Sequence, residues 1–89
     1  MSERPSTSLP QVTFYTKAGC HLCEQAREIL DNIATDVEYE LTEIDIRSDP
    51  ALFEQYRYRI PVIIINTTHV IEGRIEYSQE PDLRKGMGM

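Results

Sequence analysis

Nowhere in this 89-residue chain does an apolar run reach the length of a membrane span or a signal-peptide centre, although 40% of its residues are hydrophobic. That absence predicts a soluble, cytoplasmic protein with no membrane partner. Cysteine is scarce: Cys20 and Cys23 are the only two. One closely spaced pair does not make a disulfide-stapled secreted scaffold, which leaves redox catalysis or metal binding as its uses. Basic residues are also few, nine against fifteen acidic ones, for a net charge of −6. An acidic surface opposes the phosphate contacts that nucleic-acid binding requires. No internal repeat or low-complexity segment is visible. At 10.3 kDa the chain has no room for a second domain; one small domain of this size buries roughly 60–65% of the surface its unfolded chain exposes. A monomer is expected.

What the chain does carry is Cys20-His21-Leu22-Cys23, set where a strand-like run, Val12 to Lys17, gives way to a helix-like run ending near Ala34. Two thiols at this spacing can close into a small disulfide and reopen, because one helical turn brings the sulfurs within bonding reach. The first cysteine also meets the helix N-terminus. Unpaired backbone N–H groups and the positive end of the helix dipole favour thiolate over thiol there, the condition for attack on another sulfur. The pattern points to thiol–disulfide chemistry. Lys17 stands three residues before Cys20, and Arg57 and Arg59 stand just before Pro61. If the fold joins these segments, the mouth of the site is basic on an acidic body; the alternative is solvated surface charge.

Residues 1–10 are polar and proline-containing with no apolar period, which reads as a flexible lead-in to a domain spanning 11–89. Val12 to Thr16 is β-branched and aromatic, a buried strand broken by Ala18-Gly19. Leu22, Ala26, Ile29 and Ile33 then recur at helical spacing, with Leu30 widening the stripe. Val37 to Ile46 alternates but changes phase at Ile44 and Ile46, which suggests a strand with a bulge or a polar edge. Asp49-Pro50 is a helix start, and Leu52, Phe53 and Tyr56 give the helix one apolar face up to about Tyr58. Pro61 to Asn66 is a continuous apolar strand, joined through Asn66-Thr-Thr to a second strand, His69 to Ile75, in an antiparallel hairpin. Pro81 to Lys85 is compatible with a short closing helix, with Gly86 as its stop. The order β-α-β-α-β-β-(α) makes the first two strands parallel and the last two antiparallel.

Two linked segments, Phe14-Tyr15-Thr16-Lys17-Ala18-Gly19-Cys20-His21-Leu22-Cys23 and Arg59-Ile60-Pro61-Val62-Ile63-Ile64-Ile65, resemble those of glutaredoxins and their relatives in the thioredoxin superfamily. The resemblance covers residues 12 to about 77. It implies an α/β, thioredoxin-like fold with a four-stranded mixed sheet in the order 2-1-3-4, flanked by helices on both faces. It also implies Cys20 as nucleophile, Cys23 as resolving thiol and Pro61 as a cis-proline facing the cysteines. Access agrees with that order, since position 20 lies at the helix tip and position 23 one turn inside. The implied activity is dithiol–disulfide exchange on protein or low-molecular-weight disulfides, with no bound cofactor and glutathione at most a co-substrate. Ile60 would offer its backbone N–H and C=O to an extended substrate segment.

The chain also departs from the family pattern. Arg59-Ile60-Pro61 stands where Thr-Val-Pro is usual, and Glu72-Gly73 stands where glutaredoxins carry a Gly-Gly that holds the γ-glutamyl end of glutathione. Lys17 with Arg57 or Arg59 would still attract the glycine carboxylate of that tripeptide. Glu72 adds bulk and negative charge at its other end, so a protein disulfide, a small thiol or a thioredoxin-reductase-type donor is the expected partner. His21 is an uncommon intervening residue: as imidazolium it would favour the thiolate, and as an exposed polar side chain it would do little. Two further readings compete. Cys20, Cys23, His69 and His21 are the only soft ligands for a metal, and a dimer could carry an iron–sulfur cluster through Cys20 and an external thiol. A thioredoxin-fold adaptor without turnover is the other.

Overall fold

Two parallel strands organise the molecule. The computed structural model describes residues 9–88, so the proposed lead-in lies outside the described residues except for Leu9 and Pro10. Strand β1 (Gln11–Thr16) runs into helix α1 (His21–Ile33), which returns the chain to strand β2 (Glu40–Asp45), parallel to β1. Helix α2 (Pro50–Tyr56), then β3 (Val62–Ile65), β4 (His69–Glu72) and the short helix α3 (Glu80–Gly86) follow. β3 pairs antiparallel with β1 and with β4. The sheet order is β2-β1-β3-β4, the order that the resemblance implies.

Alternation along the strands sends side chains to two cores. Val12, Phe14, Ile63 and Ile65 meet Ala26, Ile29, Leu30 and Ile33 of α1, together with Leu83 of α3. On the other face Val62 meets Ile46 and Tyr56, with Tyr15 and Ile64 packed against them. Burial of these apolar side chains, each contributing about 1.5–3 kcal/mol, fixes the register of the sheet. The α1 stripe is Cys23, Ala26, Ile29, Leu30 and Ile33. Leu22 is only half-buried, and Cys23 fills the place expected for it.

Four boundaries differ from the sequence reading. β2 carries no bulge: it starts at Glu40 and stops at Asp45, whose carboxylate accepts the Arg47 N–H and opens a 3-10 turn over Ile46–Ser48. The phase change in the apolar pattern is that turn, which swings Ile46 into the second core. Asp49 caps α2 as its sequence suggests, but the helix ends at Tyr56. β4 stops at Glu72 rather than Ile75. α3 starts at Glu80, one residue before Pro81, and Gly86 is its last residue, where an added Cβ would stand 2.7 Å from His69 Cδ2.

Candidate thiol site

The β1–α1 junction puts Cys20 at the N-cap of a 13-residue helix. Gly19, at φ +83°, makes the turn that brings the chain into it, a conformation L side chains rarely adopt. The Cys20 N–H donates to the Lys17 carbonyl at 3.3 Å, and the Cys20 carbonyl accepts the Glu24 N–H at 3.1 Å, so the backbone around the sulfur is fixed on both sides. The Cys20 sulfur in turn accepts the backbone N–H of Cys23 at 3.1 Å. A sulfur in this position takes the place of an oxygen cap, and a thiolate is the form that accepts such a bond best.

The two cysteines are free thiols in different surroundings. Cys20 is partly exposed, whereas Cys23 is 3% exposed and belongs to the main core. Burial, reinforced by the hydrogen bond to Cys20, pushes the Cys23 thiol up to about 11, against opposing contributions from the Thr16 side chain and the Lys17 backbone. An accessible sulfur with an amide donor beside a buried, protonated one is an arrangement suited to attack followed by internal resolution.

The sheet register decides which other residues reach this end. β1 ends at the cysteines, so its partners near Tyr15 and Thr16 lie close by: Val62 opposite Tyr15, Asp45 opposite Thr16, and Glu72 opposite Val62. Arg59, Ile60, Pro61, Glu72 and Gly73 therefore gather at the cysteine end of the sheet. His69 pairs with Ile65, which pairs with Val12, at the opposite end. That placement removes His69 from any metal site shared with the cysteines. Its Nε2 is buried without a hydrogen bond, 3.5 Å from Asp82 Oδ2, and its ring lies under Gly86. Among the described residues no group of three or more His, Cys, Asp or Glu side chains is placed to hold a metal.

Of the three cations that could make the mouth basic, Lys17 lines the groove beside the cysteines, and the two arginines have partners of their own. Arg59 hydrogen-bonds the Glu72 carboxylate, with Nη2 2.7 Å from Oε1, and its guanidinium lies 5.0 Å from the Tyr56 ring centre. Tyr56 stacks in turn on Tyr15 at 4.3 Å. Arg57 is held between the rings of Phe53 and Tyr58, at 4.9 and 4.8 Å. Both arginines are thus occupied by neighbours. The Arg59 guanidinium holds the Glu72 carboxyl below the usual carboxylate range.

The backbone on that side is likewise engaged. Ile60–Pro61 is a cis peptide. The Ile60 N–H, expected to be free for substrate, donates to the Tyr56 carbonyl at 3.1 Å, because the last turn of α2 continues into the loop before β3. The Gly73 N–H donates to the carbonyls of Pro61, at 2.9 Å, and Arg59, at 3.2 Å. Glu72 and Gly73 therefore close onto the proline loop rather than presenting an open cradle. His21 is fully exposed, with Nδ1 3.8 Å from Glu24 Oε1.

A groove that sequence reasoning missed opens on the other side of the cysteines. It encloses about 610 Å³ between α1 and the C-terminal ends of β1 and β2, and both cysteines line it. Its signal was present but scattered: Glu24, Arg27 and Glu28 follow Cys20 at helical spacing, and Glu43 and Asp45 alternate on β2.

Comparisons with known proteins agree with this architecture. The model of the family described as Glutaredoxin-like domain (DUF836) matches residues 11–84. Uncharacterized proteins of Mycobacterium bovis and Mycobacterium tuberculosis are 28% identical over 64 residues, and the match covers 66% of this chain and 66% of theirs. Among solved structures, a structural-genomics target from X. campestris, XcR50, superposes with a TM-score of 0.65 at 30% identity, covering 83% of this chain and 91% of that one. A mutant thioredoxin from Halobacterium salinarum superposes with a TM-score of 0.68 at 16% identity, covering 92% and 74%.

Proposed function

Because this chain belongs to the glutaredoxin-like domain family, we propose that it is a dithiol–disulfide oxidoreductase working through Cys20 and Cys23. The observation that carries the reading is the pairing of a partly exposed N-cap sulfur with a buried thiol whose own amide donates to it. Cys20 thiolate attacks one sulfur of a substrate disulfide; the S–S bond breaks, and the departing sulfur leaves as a thiolate that takes up a proton. Cys23 then loses its proton and attacks the Cys20 sulfur. The second substrate thiol is released as the Cys20–Cys23 disulfide forms, so two electrons pass to the substrate. An external thiol or a reductase-type dithiol returns the pair to its reduced state. Pro61, buried beside Ile60 at the cysteine end of the sheet, is assigned a positioning role.

Glutathione is a poor fit as the donor. The side that would hold its two carboxylates presents Arg59 already paired and the Gly73 N–H already donated. Protein or small-molecule disulfides are the substrates this reading favours. The test is a single turnover: pre-reduced protein mixed with excess aromatic disulfide should release two thiols per chain and end with Cys20 and Cys23 joined. Cys20→Ser should release none, and Cys23→Ser should stop at a mixed disulfide. Fully reduced protein that leaves every disulfide intact would overturn the assignment.

A further inference from the structure

The walls of the groove beside Cys20 differ in charge from the rest of the site. Four carboxylates, Glu24, Glu28, Glu43 and Asp45, line it against two cations, Lys17 and Arg27. Two of the four are neutralised locally. Glu43 pairs with Arg27, which also bonds Asp31 at 3.2 Å and so ties α1 to β2. Asp45 pairs with Arg47 at 2.9 Å, which holds its carboxyl down to about 2 and keeps it ionised. Among the described residues, Glu24 meets only His21, at 3.8 Å, and Glu28 makes no ion pair. Both are exposed and free to meet an incoming charge.

Position along the helix converts this into a distance. Cys20, Cys23, Glu24, Arg27 and Glu28 fall on one face of α1, and eight residues of helix separate Cys20 from Glu28, about 12 Å. An extended peptide covers that span in three to four residues. The opposite rim is closed by the Arg59 and Glu72 pair and by the Gly73 and Ile60 hydrogen bonds, whereas on this side β2 is an edge strand of the sheet, with no further strand paired beyond it among the described residues.

We propose that the polypeptide flanking the substrate sulfur lies in this α1–β2 groove, and that Glu24 and Glu28 select disulfides carrying a lysine or arginine about three residues from the reacting cysteine. The proposal rests on the disulfide exchange put forward above and adds to it the side of approach and the charge of the substrate. A small cationic disulfide shares the chemistry but is too short to place its amine at Glu28 while its sulfur meets Cys20.

The experiment uses three short peptides, identical except for lysine, serine or glutamate three residues from a single cysteine, each as a mixed disulfide with a neutral thiopyridine. Thiopyridone release reports attack by Cys20. At low ionic strength the lysine peptide should react roughly fivefold faster than the serine peptide, and the glutamate peptide slower, with the spread collapsing at high salt. Glu28→Gln and Glu24→Gln should each lower the lysine preference severalfold. Glu38→Gln, the same loss of charge at an exposed site before β2, should leave it intact. Cystamine, the small cationic disulfide, should be insensitive to Glu28→Gln. Equal rates for the three peptides, or an equal effect of the Glu38 and Glu28 variants, would overturn the groove assignment while leaving the oxidoreductase reading standing. Release from none of the probes would overturn both.

Discussion

The backbone N–H of Cys23 points at the sulfur of Cys20 across 3.1 Å, so the residue proposed to resolve a mixed disulfide also holds the sulfur that forms it. The two thiols should therefore differ sharply in reactivity. Brief alkylation of reduced protein at neutral pH, read by mass spectrometry, should modify Cys20 at least tenfold faster than Cys23, which is buried and protonated well above neutrality. Preferential labelling of Cys23 would reverse the assigned roles.

Alkaline pH should act on Cys23 in two ways. Its folded-state value lies near 11 against an ordinary 9.0, so the folded protein holds this proton more tightly than the unfolded chain does. The resulting stability is fully present below pH 9 and is lost between about 9 and 11, a total of about 2–3 kcal/mol. Denaturant titrations across that window should show the loss in the parent protein and a smaller one in Cys23→Ser. Resolution of a Cys20 mixed disulfide should also quicken about tenfold per pH unit below that range, following the thiolate fraction of Cys23. A flat rate would show that another group limits the step.

Releasing Arg59 should admit glutathione. In Glu72→Gln the like charge is gone and the guanidinium loses its carboxylate partner, so glutathione-coupled turnover of a small mixed disulfide should rise about tenfold, equivalent to ~1.4 kcal/mol. Stability should change by at most about 1 kcal/mol, because the pair is exposed. If the parent protein already turns over rapidly with glutathione and the variant gains nothing, the pair does not guard the site.

Gly86→Ala should destabilise the fold by about 1–3 kcal/mol, because the added methyl overpacks the contact between the end of α3 and β4. Its Cβ would stand 2.7 and 2.9 Å from Cδ2 and Cγ of the His69 ring and 3.1 Å from Ile65 Cδ1. Thermal melts of Gly86→Ala, His69→Ala and the double variant form a cycle in which the double variant recovers much of the loss. A Gly86→Ala protein more stable than the parent would mean that α3 is not held against the ring.

How far the sequence carried depends on how local each signal was. The Asp49-Pro50 helix start and the α1 stripe rest on spacing within one or two turns, and the fold preserves both apart from Leu22, whose place Cys23 takes. The end of β2 was obscured because Ile46 continues an apolar alternation that belongs to the next turn, where Asp45 caps Arg47. The partner of Arg59 stands thirteen residues away, brought opposite by the pairing of Val62 with Glu72. The packing of His69 was not legible because the glycine that leaves room for its ring lies seventeen positions later. The groove was hidden for the same reason: its two walls, α1 and β2, are separate stretches of the chain, and the parallel register that sets Glu43 beside Phe14 and Asp45 beside Thr16 brings the second wall to the cysteines.

One rim of the thiol site is built from main chain, with the Gly73 N–H shared between two carbonyls, and the other from exposed side chains of α1 and β2. The two rims differ in how freely they can drift over generations. Replacing Glu24 or Glu28 costs the fold within about 0.5 kcal/mol, as for ordinary surface positions, whereas rebuilding the Pro61–Gly73 rim means moving backbone. Selection can therefore retune which disulfides this scaffold accepts by single substitutions along one helix face, leaving the two sulfurs and the turn that holds them unchanged.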